Sequence, residues 1–158
     1  GGTFGNDWAY NRRSLCPRMT ARIERVFEIP ASPEAVWSVI SDPEKRARPI
    51  SVVTDFETTG DRTAVWHVSL PIPRLNRTIE VETEDVEIDE PEYVRFIGRS
   101  KAMNVEGEHI LEPTDTGTRV TNRFLVEGRL PGVETYFKRK LDDELASLEA
   151  AVREELGA

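Results

Sequence analysis

The chain has 158 residues, 38% of them hydrophobic and 32% charged, with a formal net charge of −8, one cysteine and two histidines. That length fits one domain with a core large enough to fold without disulfides. A single Cys16 excludes an internal disulfide and Cys-based zinc sites, and the acidic balance opposes direct binding to nucleic acid or anionic membrane surfaces.

No run of apolar residues approaches the roughly 18 needed to span a bilayer, and no secretory h-region precedes the first strand. The expectation is a soluble, cytoplasmic protein with no metal and no cofactor. Residues 1–18 carry no strand or helix period, and Met19 is the first methionine. They read as a leader or an added extension outside a domain spanning 19–158. The other reading of this segment docks Phe4, Trp8 and Tyr10 on an apolar groove.

Residues 22–29 are β-branched and aromatic enough for a strand. Ser32 then stands where an N-cap belongs, and Pro33 suits the first helical position because its missing N–H is unneeded there. Val36, Val39 and Ile40 share one helical face with Trp37 at its margin, and Asp42-Pro43 closes the helix. Strands follow at 51–58 and 62–70, joined through Thr59-Gly60-Asp61. In the second, Trp66 faces inward and His67 outward.

Pro71-Ile72-Pro73 breaks that strand, and the next runs from Arg77 to about Ile88. Its apolar phase is Ile79 and Val81, then Val86 and Ile88. This odd-to-even switch predicts a bulge or bend near Glu84-Asp85 and a strongly curved sheet. Glu90-Pro91-Glu92 turns into a strand at 93–98, followed by one at 103–112. Asp115-Thr116-Gly117 makes a hairpin into the last strand. His109 and Asn122 fall on faces of these two strands that are otherwise apolar.

From Pro131 to about Leu156, Val133, Phe137, Leu141, Leu145, Leu148, Val152 and Leu156 form one apolar stripe. Lys138, Arg139 and Lys140 stand four residues before Asp142, Asp143 and Glu144, which reads as a solvated, self-paired face.

Strand, short helix, antiparallel strands and a long last helix, with Ala-Ser-Pro-Glu-Ala-Val-Trp followed by Asp-Pro-Glu, resembles the helix-grip START-like superfamily (SRPBCC) over residues 20–157. That superfamily includes polyketide cyclases/dehydrases, lipid-transfer domains, coenzyme-Q-binding proteins and the G subunit of CO dehydrogenase. The resemblance implies an α+β fold: a curved antiparallel sheet of about seven strands wrapped around a long C-terminal helix, with one or two short helices after the first strand. It also implies an elongated cavity for an apolar or amphipathic molecule. After Glu44 this chain reads Lys-Arg-Ala-Arg-Pro-Ile, where relatives often carry a Trp-containing segment.

On this reading the cavity is lined by the inward residues Trp66, Val81, Phe96, Val105, His109, Asn122, Phe124 and Phe137. The expected ligand is a lipid, isoprenoid quinone or polyketide-like aromatic. No G-x-S-x-G elbow, P-loop, dinucleotide fingerprint or H-E-x-x-H motif is present, so the sequence leans away from an enzyme. The alternative is a cyclase/dehydratase using His109 as its acid/base group. A purely structural His109–Asn122 pair is also open. A third reading is a module that docks on a protein partner through the Pro71–Leu75 hairpin.

Overall fold

A computed structural model describes residues 20–158 except 74 and 76. The expected 1–18 extension, its boundary and Cys16 lie outside the described residues. Seven strands form one antiparallel sheet: β1 (Thr20–Ile29), β2 (Val53–Thr58), β3 (Thr63–Val68), β4 (Ile79–Asp89), β5 (Tyr93–Arg99), β6 (Met103–Pro113) and β7 (Thr118–Gly128). Helices α1 (Pro33–Ile40) and α2 (Pro43–Ala47) follow β1, and α3 (Val133–Leu156) ends the domain. The spatial order is β1-β7-β6-β5-β4-β3-β2, so the first and last strands meet and the sheet curls with β2 at its far edge.

The caps lie where side-chain chemistry puts them. Ser32 Oγ accepts the Ala35 N–H at 3.2 Å, and Asp42 Oδ1 accepts the Glu44 N–H at 2.9 Å. Each cap precedes a proline at the first helical position, which sets two short helices in succession. α1 buries Val36, Trp37, Val39 and Ile40, and the Trp37 indole N–H donates to Glu90 at the β4–β5 turn, 2.9 Å away.

The phase switch in β4 is a register shift between Asp85 and Glu87, one step beyond Glu84-Asp85. Before it Val81, Thr83 and Asp85 are buried; after it Ile88 pairs with the buried Val94 but lies at the exposed end of the sheet. Gly107 permits a second close approach. A Cβ there would lie 2.2 Å from the Phe96 ring, so only glycine lets that ring lie flat across β6.

α3 lies in the curve of the sheet against β1 and β7 and also touches α1. Its buried face is Val133, Phe137, Leu141, Leu145, Leu148 and Val152, the spacing of three and four that a straight helix needs to present one stripe. Leu156 is half-buried at its end. Arg25 on β1 donates to Glu149 at 2.8 Å, and Arg153 reaches both Glu149 and the Glu28 carbonyl, which clips the polar flank of α3 to the edge strand.

One residue of the charged run departs from the solvated-face expectation. Glu144 is 5% exposed and points under the helix rather than away from it. Glu144 precedes Leu145 by one position and follows Leu141 by three, so a modest helical rotation brings it onto the apolar stripe.

In the Pro71–Leu75 hairpin, Ile72 and Leu75 form an isolated bridge and pack on the core. Among the described residues, no helix is long and apolar enough to cross a membrane.

Leu145 is fully buried in the middle of α3. Leu145→Ala should therefore cost about 2–5 kcal/mol in urea denaturation with an unchanged m-value. A loss under about 1 kcal/mol would mean the helix is not gripped as described.

Candidate ligand-binding interior

Between the inner face of the sheet and α3 lies an apolar cavity of about 20 Å³, enough for one water. Of the eight residues expected to line a cavity, Trp66, Val105, Phe124 and Phe137 do so, joined by Ile50 and Val52 from the α2–β2 connection. Val81, Phe96, His109 and Asn122 are buried beside it without lining it. The physical reason is ring packing. Phe96, admitted by Gly107, meets Trp66 at 5.5 Å, Phe124 at 5.6 Å and His109 at 6.2 Å between centroids, filling space that smaller side chains would leave open.

A recess of about 520 Å³ lies open at the sheet surface, rimmed by Glu87, Asp89, Glu92 and Glu112. An apolar molecule there would stay wet and face carboxylates. The interior is the better candidate.

His109 and Asn122 are direct cross-strand partners on β6 and β7, and both are fully buried. His109 Nδ1 lies 2.7 Å from Asn122 Oδ1. A carbonyl oxygen can only accept, so Nδ1 carries the proton and Nε2 keeps a lone pair. Among the described residues, neither His109 Nε2 nor Asn122 Nδ2 has a hydrogen-bond partner. Such groups cost about 1–3 kcal/mol each when left unsatisfied in a core.

Sequence reasoning overlooked the charges that flank this pair. Arg46, on α2, is buried and donates to Asp85 on β4 at 2.5 Å and to the Ile40 carbonyl at 3.0 Å. Its guanidinium carbon sits 5.4 Å from the Phe96 ring centre. Burial, with the nearby Arg46 charge, pulls the His109 imidazole from 6.5 down to about 3, although its bond to Asn122 acts the other way. An Arg in a five-residue helix and an Asp in a mixed-phase strand carry no periodic signal linking them. Only the Asp85 position, at the expected bend, pointed to something unusual.

Glu144 is the other residue missed. Its Oε1 accepts the Ser51 backbone N–H at 3.2 Å and the Ser51 hydroxyl at 2.8 Å. Its Oε2 is buried without a partner among the described residues, and the residue lines the cavity. Among the described residues, no group of three or more His, Cys, Asp or Glu side chains could hold a metal.

The family described as polyketide cyclase / dehydrase and lipid transport matches residues 20–153, covering β1 through most of α3. The chain belongs to this family. No curated protein matches it. Solved structures share its fold. A START superfamily protein from Mycobacterium smegmatis aligns with TM-score 0.68 at 15% identity, covering 85% of this chain and 95% of that one. A conserved protein from Geobacillus kaustophilus gives 0.68 at 16%, covering 87% and 95%. A Thermus thermophilus protein gives 0.62 at 24%, covering 84% and 96%. The helix-grip START-like fold is thus shared across these proteins, and the rings and polar atoms inside it belong to this polyketide cyclase/dehydrase and lipid-transport family member.

On the opposite face of β6, Glu108 is buried and accepts the Tyr93 hydroxyl at 2.6 Å. Burial raises its carboxyl from 4.5 to about 7, against the opposing pull of the Tyr93 bond and Arg123. The two neighbours therefore act with opposite sign. Native His109 refuses a proton that the unfolded chain takes below 6.5, so its contribution is lost as pH falls towards 3. Native Glu108 keeps a proton that the unfolded chain releases above 4.5, so its contribution is lost as pH rises towards 7.

Between pH 4.5 and 6.5 the two effects cancel in the wild type. On acidification across that range, His109→Phe should gain on wild type by about 1.4 kcal/mol per pH unit, and Glu108→Gln should fall behind by a similar slope. Urea titrations at several pH values measure both. Parallel stability curves for all three proteins would contradict these protonation states.

Proposed function

We propose that the protein binds a hydrophobic small molecule, such as a lipid, isoprenoid quinone or polyketide-like aromatic, between the sheet and α3. The observation that carries this reading is unused hydrogen-bonding capacity around the space between the sheet and α3: His109 Nε2, Asn122 Nδ2 and Glu144 Oε2. Such groups are uncommon in cores that only have to pack, whereas a ligand site keeps a few among apolar walls. The family description, which names lipid transport, supports the same reading.

At about 20 Å³ the cavity is too small for such a molecule, so binding must widen it. The part of the wall best suited to move is the Ile50–Val53 connection with edge strand β2, which pairs on one side only and exposes most of its residues. Ligand would then displace the rings of Trp66 and Phe124 and reach His109 and Asn122 behind them.

Proton-transfer catalysis through His109 is the less favoured reading. An imidazole held at about 3 is unprotonated and weakly basic near neutrality, far from the value a general acid or base needs. As an acceptor of a ligand hydrogen bond the same neutral ring is well suited.

Native mass spectrometry of protein purified from its own host tests the proposal. Wild type should retain a co-purifying apolar molecule. The double variant His109→Phe/Asn122→Leu, which replaces both partners with apolar groups of similar size, should be at least as stable yet retain less than about a tenth of that molecule. Equal retention would assign the pair to structure alone.

A further inference from the structure

Only half of the Glu144 carboxylate is used by the fold. It is a carboxylate on the concave side of a helix, 5% exposed, with apolar neighbours Leu141 and Leu145. Among the described residues no lysine or arginine pairs with it; Lys138, one of the cations its own helix supplies, instead reaches Glu134 at 3.3 Å. Among the described residues its hydrogen bonds come from the N–H and hydroxyl of Ser51, both to Oε1. Oε2 is left buried and unpartnered, and the side chain that carries it forms part of the cavity wall.

The surroundings form a small polar rim. Ser51 is solvent-exposed, so the Ser51–Glu144 contact bridges the α2–β2 connection to α3 at the outer end of the cavity. Tyr136, two turns before Glu144 on the same helix, joins this rim: its hydroxyl hydrogen-bonds with Ser51, while burial and the Glu144 charge push its ionisation upward. Every other lining residue is apolar: Trp66, Met103, Val105, Phe124, Phe137 and Leu141 are examples.

We infer that Ser51 and Glu144 form a recognition subsite for an uncharged hydroxyl on an otherwise apolar ligand, and that this subsite turns away carboxylates. The inference rests on the binding reading above and specifies its ligand class. Ser51 engages Oε1 and leaves Oε2 as the unused acceptor for a ligand that widens the cavity. A ligand hydroxyl donating to Oε2 makes a charge-assisted bond, which is stronger than a neutral one and completes the carboxylate's acceptor capacity. A ligand acid meets a like charge in a water-poor space, where repulsion is less screened than at the surface. An ether or ester offers only acceptors to an acceptor. Fatty acids are therefore poor ligands, and hydroxylated aromatics or alcohols good ones.

The test uses three naphthalenes of similar size, 2-naphthol, 2-methoxynaphthalene and 2-naphthoic acid, titrated calorimetrically at pH 8 into wild type, Glu144→Gln, Glu144→Leu and Ser51→Ala. Urea denaturation of each variant is run alongside. Wild type should bind 2-naphthol at least tenfold tighter than the methoxy compound and the naphthoate at least a hundredfold weaker. Glu144→Leu should erase the preference for 2-naphthol, and Glu144→Gln should admit naphthoate. Ser51→Ala should weaken 2-naphthol by several-fold while leaving the methoxy compound unaffected, a split that a merely structural role would not produce. Equal wild-type binding of 2-naphthol and 2-methoxynaphthalene, or the same preference in folded Glu144→Leu, would overturn the subsite while leaving cavity binding standing. No binding of any of the three to wild type would overturn both.

Discussion

The buried pair of Arg46 and Asp85 is the contact on which the interior depends. It crosses from the second short helix to the bulge in β4, and the same guanidinium holds the last carbonyl of α1. Two charges taken out of water gain little net stability from each other, but removing one leaves the other stranded, typically a loss of about 3–5 kcal/mol. The pair thus acts as a positional lock. It keeps α1 and α2 against the sheet, sets a cation near the Phe96 ring, and helps to hold the imidazole of His109 neutral.

From that neutrality the chemistry of the interior follows. A neutral His109 that donates through Nδ1 has an acceptor left over, and Asn122, by accepting, has donors left over. The free protein answers the problem of an empty interior by packing rings together. Phe96 over Gly107, with Trp66 and Phe124 against it, reduces the space to about 20 Å³. The unsatisfied atoms are the cost of that closed form. In the proposed binding function, these are the positions where a polar ligand group restores the stability given up.

Much of the architecture was legible because it rests on period. Alternation located the strands, the three-and-four stripe located α3, and Ser32-Pro33 located the first cap, whereas Asp42-Pro43 was legible as the end of α1 and not as the cap of α2. The curl of the sheet was visible as a phase switch in β4, since a strand cannot change faces without an extra residue. The inward placement of His109 and Asn122 came from the same alternation. What period could not reveal were contacts between distant elements. Arg46 meets Asp85 across 39 positions, and Glu144 meets Ser51 across 93. Glu144 was misread because three successive acids after three bases make an efficient surface pattern, whereas its burial depends on how far α3 is rotated over the α2–β2 connection. Cavity volume was equally out of reach, because it is decided by ring packing around one glycine.

The central claim is that the neutral His109–Asn122 pair is held in reserve for a ligand. Nitrogen-15 NMR of the imidazole and side-chain amide, recorded for the ligand-free protein and again during titration with a lipid extract of the source organism, tests it most directly. The account predicts a single tautomer protonated at Nδ1 in the free protein. On saturation it predicts a change at His109 Nε2 and Asn122 Nδ2 as each gains a partner. A doubly protonated or Nε2-protonated ring in the free state, or saturation that leaves both side chains unshifted while other cavity residues respond, would contradict it.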